Sequence, residues 1–398
     1  MDLSYNAEEL AFRDEVRAFL KDKLPQDLAD KVKKSQRLSK NDYMTWHRIL
    51  FDQGWITPGW PVEYGGTGWT AIQKHIFDEE ASAAGAPRVQ PFGVNLVGPV
   101  ICHFGSEEHK QRFLPKIRSG EEFWCQGFSE PGAGSDLASL KTRAVLDGDE
   151  WVVNGQKTWT TLGHYADWIF CLVRTDPDVK NQEGISFLLI DMKTPGVTVR
   201  PIVTLAGDHV VNEVFLEDVR VPAGNLVGEL NRGWDYAKFL LSNERTGIAG
   251  IGASKADLEH LKDMARLERK NGKPLIDDPL FQARLAQLEI DLMALELTNM
   301  RVLVEEQERG SPGPISSLLK IRGSEIQQRL AEMKMDAVGP YATPFILEAV
   351  DADWNGEPVG PDYAAACARS YFDRRKTSIY GGSNEIQKNI ITKAILGL

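Results

Sequence analysis

The chain is poor in cysteine. Cys102, Cys125, Cys171 and Cys367 are its only four, they stand far apart, and no CxxC occurs. Neither a disulfide framework nor a thiolate metal site is expected, and reduced structural thiols in a cytoplasmic protein are. The seven histidines include no HExxH and no pair at zinc-ligand spacing, so no metal is expected. No apolar run approaches the roughly 18 residues that span a bilayer. The opening MDLSYNAEEL lacks both a basic stretch and an apolar core, so a secretory leader is not expected. Positive charge is also scarce: 46 Lys and Arg against 57 Asp and Glu leave a net charge of −11, which suits nucleic acid poorly. A Walker A sequence is missing. Gly132-Ala133-Gly134-Ser135-Asp136-Leu137 starts like a dinucleotide fingerprint but lacks its last glycine and any βαβ setting.

What is present divides into three textures, with boundaries expected at 1–122, 123–230 and 231–398. The first is helical. Leu10, Phe12, Val16, Phe19 and Leu20 make one apolar stripe, and Ser106 before Glu107 and Glu108 reads as the cap of a surface helix. The basic stretch KVKKSQRLSK at 31–40 reads as a solvated linker, since it has no aromatic residue and no clear face. The second texture has period two. Trp151–Val153, Trp168–Val173, Ile185–Ile190 and Val214–Leu216 are short β-branched and aromatic runs, with turns expected at Gly148-Asp149, Asn154-Gly155 and Pro195-Gly196. Strands without intervening helices point to a small sandwich or barrel. The third texture is helical again. Leu280 to Glu308 is one helix, with Gly310-Ser311-Pro312-Gly313-Pro314 as its stop, and Ile315 to Val338 is another. A last helix follows Tyr380-Gly381-Gly382, where Asn384 and Gln387 have capping-box spacing and Ile386, Ile390, Ile391 and Ile395 share a face.

The segments WCQGFSEPGAGSD at 124–136 and NGQKTWTT at 154–161 carry the chemistry. Trp159 offers a stacking face for a flat heteroaromatic ring, Ser129 and Thr161 offer hydrogen bonds to its edge, and the Pro-Gly-Ala-Gly turn exposes backbone N–H groups. The same residues also read as an ordinary tight turn beside a core tryptophan.

These two segments, with HFGSEEHKQRFLPKIRSGE at 103–121, FLEDVRVPAGNLVGE at 215–229 and IYGGSNEIQKNI at 379–390, resemble the acyl-CoA dehydrogenase family over nearly the whole chain. GWDYAKFLLSNERTGIAG at 233–250 is similar to the large subunits of pimeloyl-CoA dehydrogenase. The resemblance implies an α+β fold of an N-terminal helical domain, a middle β-barrel or sandwich and a C-terminal four-helix bundle. It implies FAD at Gln126, Phe128, Ser129, Ser135, Trp159 and Thr161, and an acyl-CoA thioester at Ser135, Arg245, Tyr380 and Gly381. The reaction would be α,β-desaturation in a tetramer, with electron-transferring flavoprotein as the re-oxidant.

An α proton beside a thioester is weakly acidic, so its removal needs a carboxylate whose basicity is raised by desolvation. The resemblance usually puts that carboxylate directly after the loop tyrosine, where this chain has Gly381. Some members put it on a bundle helix just before an arginine, which implies Glu244, before Arg245. Leu240, Leu241, Ile248 and Ile251 make the segment around Glu244 apolar. Glu385, the rival carboxylate, follows Asn384 and suits the helix dipole. The bland reading of Glu244 is a solvated partner of Arg245.

Two departures stand out. The family's arginine and phenylalanine before a Gly-Lys usually reach the FAD of a neighbouring subunit; here Glu268 and Asn271 hold those positions, with Arg269 one residue off. The later glutamine and paired glycines become Met335, Val338 and Gly339. A carboxylate facing a pyrophosphate would be repulsive. A heterotetramer with a dissimilar subunit and a homotetramer with a rearranged pocket both account for this. Two other functions remain: a non-catalytic half-site subunit, and a flavin-dependent relative with other chemistry such as desulfination. The acyl chain is open among branched, long, dicarboxylic and polycyclic groups.

Overall fold

Among the described residues, six α-helices occupy the chain up to Ser119: α1 (Ala7–Lys23), α2 (Gln26–Lys33), α3 (Lys40–Gln53), α4 (Ala71–Ala84), α5 (Gly98–Phe104) and α6 (Glu107–Ser119). The structure, a computed structural model, describes residues 5–309 and 313–398, and the side chains of 242–246, 248 and 306–309 lie outside the described residues. Helix α1 starts on a reciprocal capping box in which Asn6 and Glu9 each accept from the other's backbone. It buries Phe12, Val16, Phe19 and Leu20. Leu10, expected on that stripe, is exposed, because two helical positions carry it about 200° round from Phe12. Ser106 caps α6 as expected, accepting from the backbone of His109.

The basic stretch 31–40 is not a linker. It comprises the last turn of α2, a short turn and the first residue of α3. Of its five charges, Lys31 pairs with Asp42 at 2.8 Å and Arg37 with Asp351 at 2.5 Å.

The middle of the chain forms β1 (Trp124–Gly127), β2 (Arg143–Asp147), β3 (Glu150–Thr161), β4 (Trp168–Arg174), β5 (Ile185–Asp191), β6 (Val197–Val203) and β7 (His209–Pro222). They make one seven-stranded sheet in the order β1-β4-β2-β3-β7-β6, with β5 also paired to β4. Strands β4 and β5 are buried on both faces, which explains their unbroken apolar runs. Cys125, Trp151, Val153, Ile169, Val173, Leu188, Ile190 and Val214 pack together on one side of the sheet.

Asn154-Gly155, expected as a turn, lies inside β3. The ladder with β7 shifts there, from Val153↔Val219 to Gly155↔Leu216, so the additional residue is on β7. Asp218 adopts φ +50° at this bulge, and its backbone N–H and carboxylate exchange hydrogen bonds with the Asn154 amide at 2.9 Å. Glycine is required at 155 because a Cβ there would lie 2.6 Å from Thr142 Cα.

The chain continues through α7 (Gly233–Ile248), α8 (Ile251–Leu267), a hairpin of β8 (Arg269–Lys270) and β9 (Lys273–Pro274), α9 (Pro279–Arg309), α10 (Ser316–Val338), α11 (Ala365–Arg374) and α12 (Asn384–Ile391). The long helices begin and end within a residue of the periodic patterns. Leu261, Leu285, Leu288, Leu292, Leu319, Ile326 and Leu330 build their common core. Of the expected stop signal, residues 310–312 lie outside the described residues. Ser383, not Asn384, caps α12, accepting from the backbone of Ile386. Asn384 is buried instead, its side-chain oxygen accepting from Lys320 Nζ at 2.8 Å. After Ile391 the helix widens into a π-turn over Thr392–Leu396, and Ile395 leaves the expected face for solvent.

By their mutual packing the residues group into two units: 1–46, 69–88 and 245–398 in one, 47–68 and 89–244 in the other. The first helical segment is shared between them. The four cysteines are free and buried.

Candidate active site

The segment 124–136 is organised by its buried residues. Strand β1 ends at Gly127, and the Phe128 ring turns into the unit's interior. There it meets Phe170 and Phe187 edge-on, two rings stacked 5.8 Å apart and 2° from parallel. Glu130 and Ala133 then exchange backbone hydrogen bonds of 2.9 and 3.0 Å, closing a tight turn. At Gly132 and Gly134 nothing lies within 4 Å of where a Cβ would stand, so the turn offers bare backbone to its surroundings. Ser135 is exposed as well, while Gln126 and Ser129 are half-buried.

The second segment is the end of β3. Lys157 is fully buried, and its ammonium donates to Glu130 at 2.7 Å, to Leu172 O at 2.8 Å and to Phe128 O at 3.3 Å. Glu130 also accepts from the backbone N–H groups of Lys141 at 2.6 Å and Thr142 at 2.9 Å. Burial alone would raise the Glu130 carboxyl, but the adjacent ammonium and these donors outweigh it and hold the group below its ordinary range. The pair fastens the turn, β3 and β4 to one another. Thr158 adds a backbone bond to Ser129 O at 2.9 Å.

Just beyond, the ladder shifts a second time, from Lys157↔Val214 to Thr160↔Asn212. Trp159 occupies this bulge with φ +59° and 61% of its surface exposed. A bulky residue in the left-handed region costs on the order of 1–3 kcal/mol and persists only when its surroundings dictate it. Its ring is not a core ring, so the alternative of a tight turn beside a core tryptophan fails. Thr161 follows, half-buried. An outward indole on the strand that carries Thr161, bonded through Thr158 to Ser129 and the segment of the open glycine turn, is a chemically suitable seat for a flat, hydrogen-bonding ring such as a flavin.

Glu244 and Arg245 fall on α7, but their side chains lie outside the described residues. Leu240 nearby is buried, and α7 ends before Gly250 at φ +59°. Tyr380 is exposed at 38%. Gly381 and Gly382 have φ +64° and +74°, and Gly381 O accepts from Gln387 at 2.8 Å. A glutamate at 381 would have to adopt a left-handed backbone.

The departures at 268–339 have local explanations. The Glu268 carboxylate accepts from Tyr363 Oη at 2.8 Å; burial and this carboxylate together push the phenol up to about 12. Asn271 and Gly272, at φ +52° and +81°, form the tight connection of the β8–β9 hairpin. Arg269 is exposed on that hairpin. Val338 is buried in the helical core and Met335 packs against it.

Sequence reasoning passed over Glu130 and Lys157, although both sit inside the quoted segments. The signal was available: Lys157 keeps the inward parity of Trp151 and Val153. Elsewhere, among the described residues, the one group with metal-ligand character is His75, Glu79 and Glu296. The Lys255 ammonium is bonded to both carboxylates, taking the place a cation would have.

Residues 6–121, 125–219 and 231–396 match, in turn, the N-terminal, middle and C-terminal domain models of acyl-CoA dehydrogenase. Acyl-CoA dehydrogenase IpdE1 of Mycobacterium tuberculosis is 39% identical over 357 residues, covering 89% of this chain and 87% of its own. The crystal structure of the ChsE4-ChsE5 complex from Mycobacterium tuberculosis superposes with a TM-score of 0.84 at 33% identity, over 100% of this chain and 99% of that one. The Tcur3481-Tcur3483 steroid ACAD superposes with a TM-score of 0.85 at 31% identity, over 100% and 99%.

Proposed function

The chain belongs to the acyl-CoA dehydrogenase family, and from that premise we propose that it binds FAD and uses Glu244 to desaturate a bulky, polycyclic acyl-CoA. It is an oxidoreductase, and its middle domain is the half-barrel of that family. The observation that carries the cofactor reading is Trp159, held outward in a strained bulge by a buried ion pair.

FAD, when bound, supplies the hydride acceptor. Trp159 covers a ring face, Ser129, Thr161 and Gln126 provide hydrogen bonds, and Phe128 underpins the strand. Glu244 removes the α proton of the thioester, a step that requires its basicity to be raised by desolvation. Ser135, Arg245, Tyr380 and Gly381 are assigned to the thioester. The polycyclic acyl group is supported by the similarity to a steroid ACAD and by the side-chain-free position at Gly381. Electron-transferring flavoprotein is the proposed re-oxidant. Domain limits at 122 and 230 and a cytoplasmic setting belong to the same reading; no helix among the described residues is long and apolar enough to cross a membrane.

A dissimilar partner chain is the assembly we favour. Glu268 and Val338 are engaged within their own unit, and the M. tuberculosis relative of similar structure is a two-protein complex. Exposed Ile290 and Met293, one turn apart on α9, supply apolar surface for such a contact. The deciding experiment is the visible spectrum of the chain purified alone and with a candidate partner. Flavin that reaches one per chain only with the partner supports the hetero-oligomer, and one per chain alone supports a homo-oligomer. No flavin under either condition sinks the cofactor reading.

A further inference from the structure

Behind Trp159 the strand is tied down by a second polar arrangement, within the same unit. Asn212 stands opposite Thr160 in the β3–β7 ladder and is fully buried. Its Nδ2 donates to Thr160 O at 2.9 Å. A carbonyl can only accept, so this bond fixes which end of the amide is which. Oδ1 therefore faces His209 Nε2 at 2.7 Å and must accept, which places the His209 proton on Nε2. The remaining amide hydrogen points to His164 Nδ1 at 3.2 Å, so that nitrogen is bare and His164 carries its proton on Nε2.

One amide thus sets two tautomers. The imidazoles lie 4.1 Å apart, 32° from parallel, so charge on one opposes charge on the other. An amide oxygen beside His164 would favour its charged form, but Thr160 turns that oxygen away and presents an N–H instead. Burial, then His209, hold His164 below its ordinary range. The surrounding groups are few. Tyr165 packs its ring 4.1 Å from His164, Lys193 lines the same 290 Å³ cavity with its ammonium 3.3 Å from Asp167, and Met192, Val199 and Pro201 are the apolar wall.

We propose that Asn212 is a positioning residue: held between a neutral His164 and an Nε2-protonated His209, it grips the Thr160 carbonyl and so keeps Trp159 in its outward, left-handed backbone. Its bearing on catalysis rests on the cofactor reading of Trp159, whereas its structural content does not.

The test begins with the unaltered protein. Nitrogen-15 NMR of labelled histidine should find both rings, in their neutral forms, protonated on Nε2, and His164 neutral at pH 6.5. A proton on Nδ1 of neutral His164, or an ordinary titration there, overturns the proposal. Asn212→Asp cannot donate to Thr160 and accepts from both rings, so half-protonation of His164 should move up by about one pH unit or more. Trp159 emission, isolated by difference against Trp159→Phe, should change its acrylamide quenching in Asn212→Asp and in His209→Leu. His209→Gln, which retains an N–H donor, should restore it. Quenching unchanged in Asn212→Asp, or His209→Gln as damaging as His209→Leu, overturns the positioning role. A chain that takes no flavin in any form would sink the cofactor reading instead, with the NMR and fluorescence outcomes still deciding this one.

Discussion

In the β unit, Lys157 and Glu130 are buried while Trp159 stays at the surface and Ser129 and Thr161 stay half-buried. Around 268–339 the direction is reversed. Positions that the resemblance assigns to a neighbour's cofactor are here drawn into the chain's own interior or its own turn: Glu268 to Tyr363, Asn271 into a hairpin, Val338 into the helical core. On the proposed reading, a binding face is marked by the unfavourable features its surroundings sustain, namely an exposed indole, a strained backbone and a buried charge pair, and the other face by its local comfort.

The sharpest break of that contrast would come from Glu244→Gln. Turnover should fall by about 10²–10⁴-fold, the range for a general base, while flavin per chain stays constant. Unchanged turnover with an artificial electron acceptor would leave the preserved face without its chemistry.

Next in size is Lys157→Met. Removing one member of a buried pair costs about 3–5 kcal/mol, read from urea denaturation at neutral pH. Because Glu130 is held below its ordinary value of 4.5, this stabilisation is fully present above the unfolded pKa and disappears as pH falls through the lower folded one. The wild type should therefore lose more stability than the variant on acidification. Equal losses would mean that the pair contributes nothing.

Trp159→Gly should act with opposite signs on stability and binding. Relief of the left-handed backbone should stabilise the protein by roughly 1 kcal/mol, while flavin affinity falls. A decrease in both would show that the indole serves packing rather than a ligand.

The smallest effect is expected at Glu268→Gln. The Tyr363 phenol, now at about 12, should titrate nearer its ordinary value in ultraviolet absorbance, with flavin content unaltered. Loss of flavin on this change would reverse the reading of that region.

Much of this was legible in the chain itself. The helices at 279–309 and 316–338 carry long periodic patterns, and the two segments proposed for the cofactor are continuous in sequence. What escaped is what depends on a distant partner. Asn154-Gly155 looks like a turn until β7 is laid beside it. Asn384 looks like a cap until Lys320 claims its oxygen. Glu268 and Tyr363 are 95 positions apart, so no local pattern connects them. Leu10 and Ile395 failed for local reasons: Leu10 stands off the buried face of α1, and a π-turn carries Ile395 out of register.

The slip in pairing between Lys157 and Thr160 has an arithmetic consequence. A strand is a two-beat rhythm, and Lys157 and Trp159 are two residues apart, so in step they would point the same way, into the interior. Between those rungs β3 advances three places while β7 advances two. The additional beat throws the indole outward and sends Thr160 inward. Deleting Thr158 would restore the rhythm and leave the indole on the outward beat, one place after Lys157, but on an ordinary extended backbone. Substitution at 159 therefore alters the quality of the contact, whereas that deletion alters only the angle at which the ring is offered.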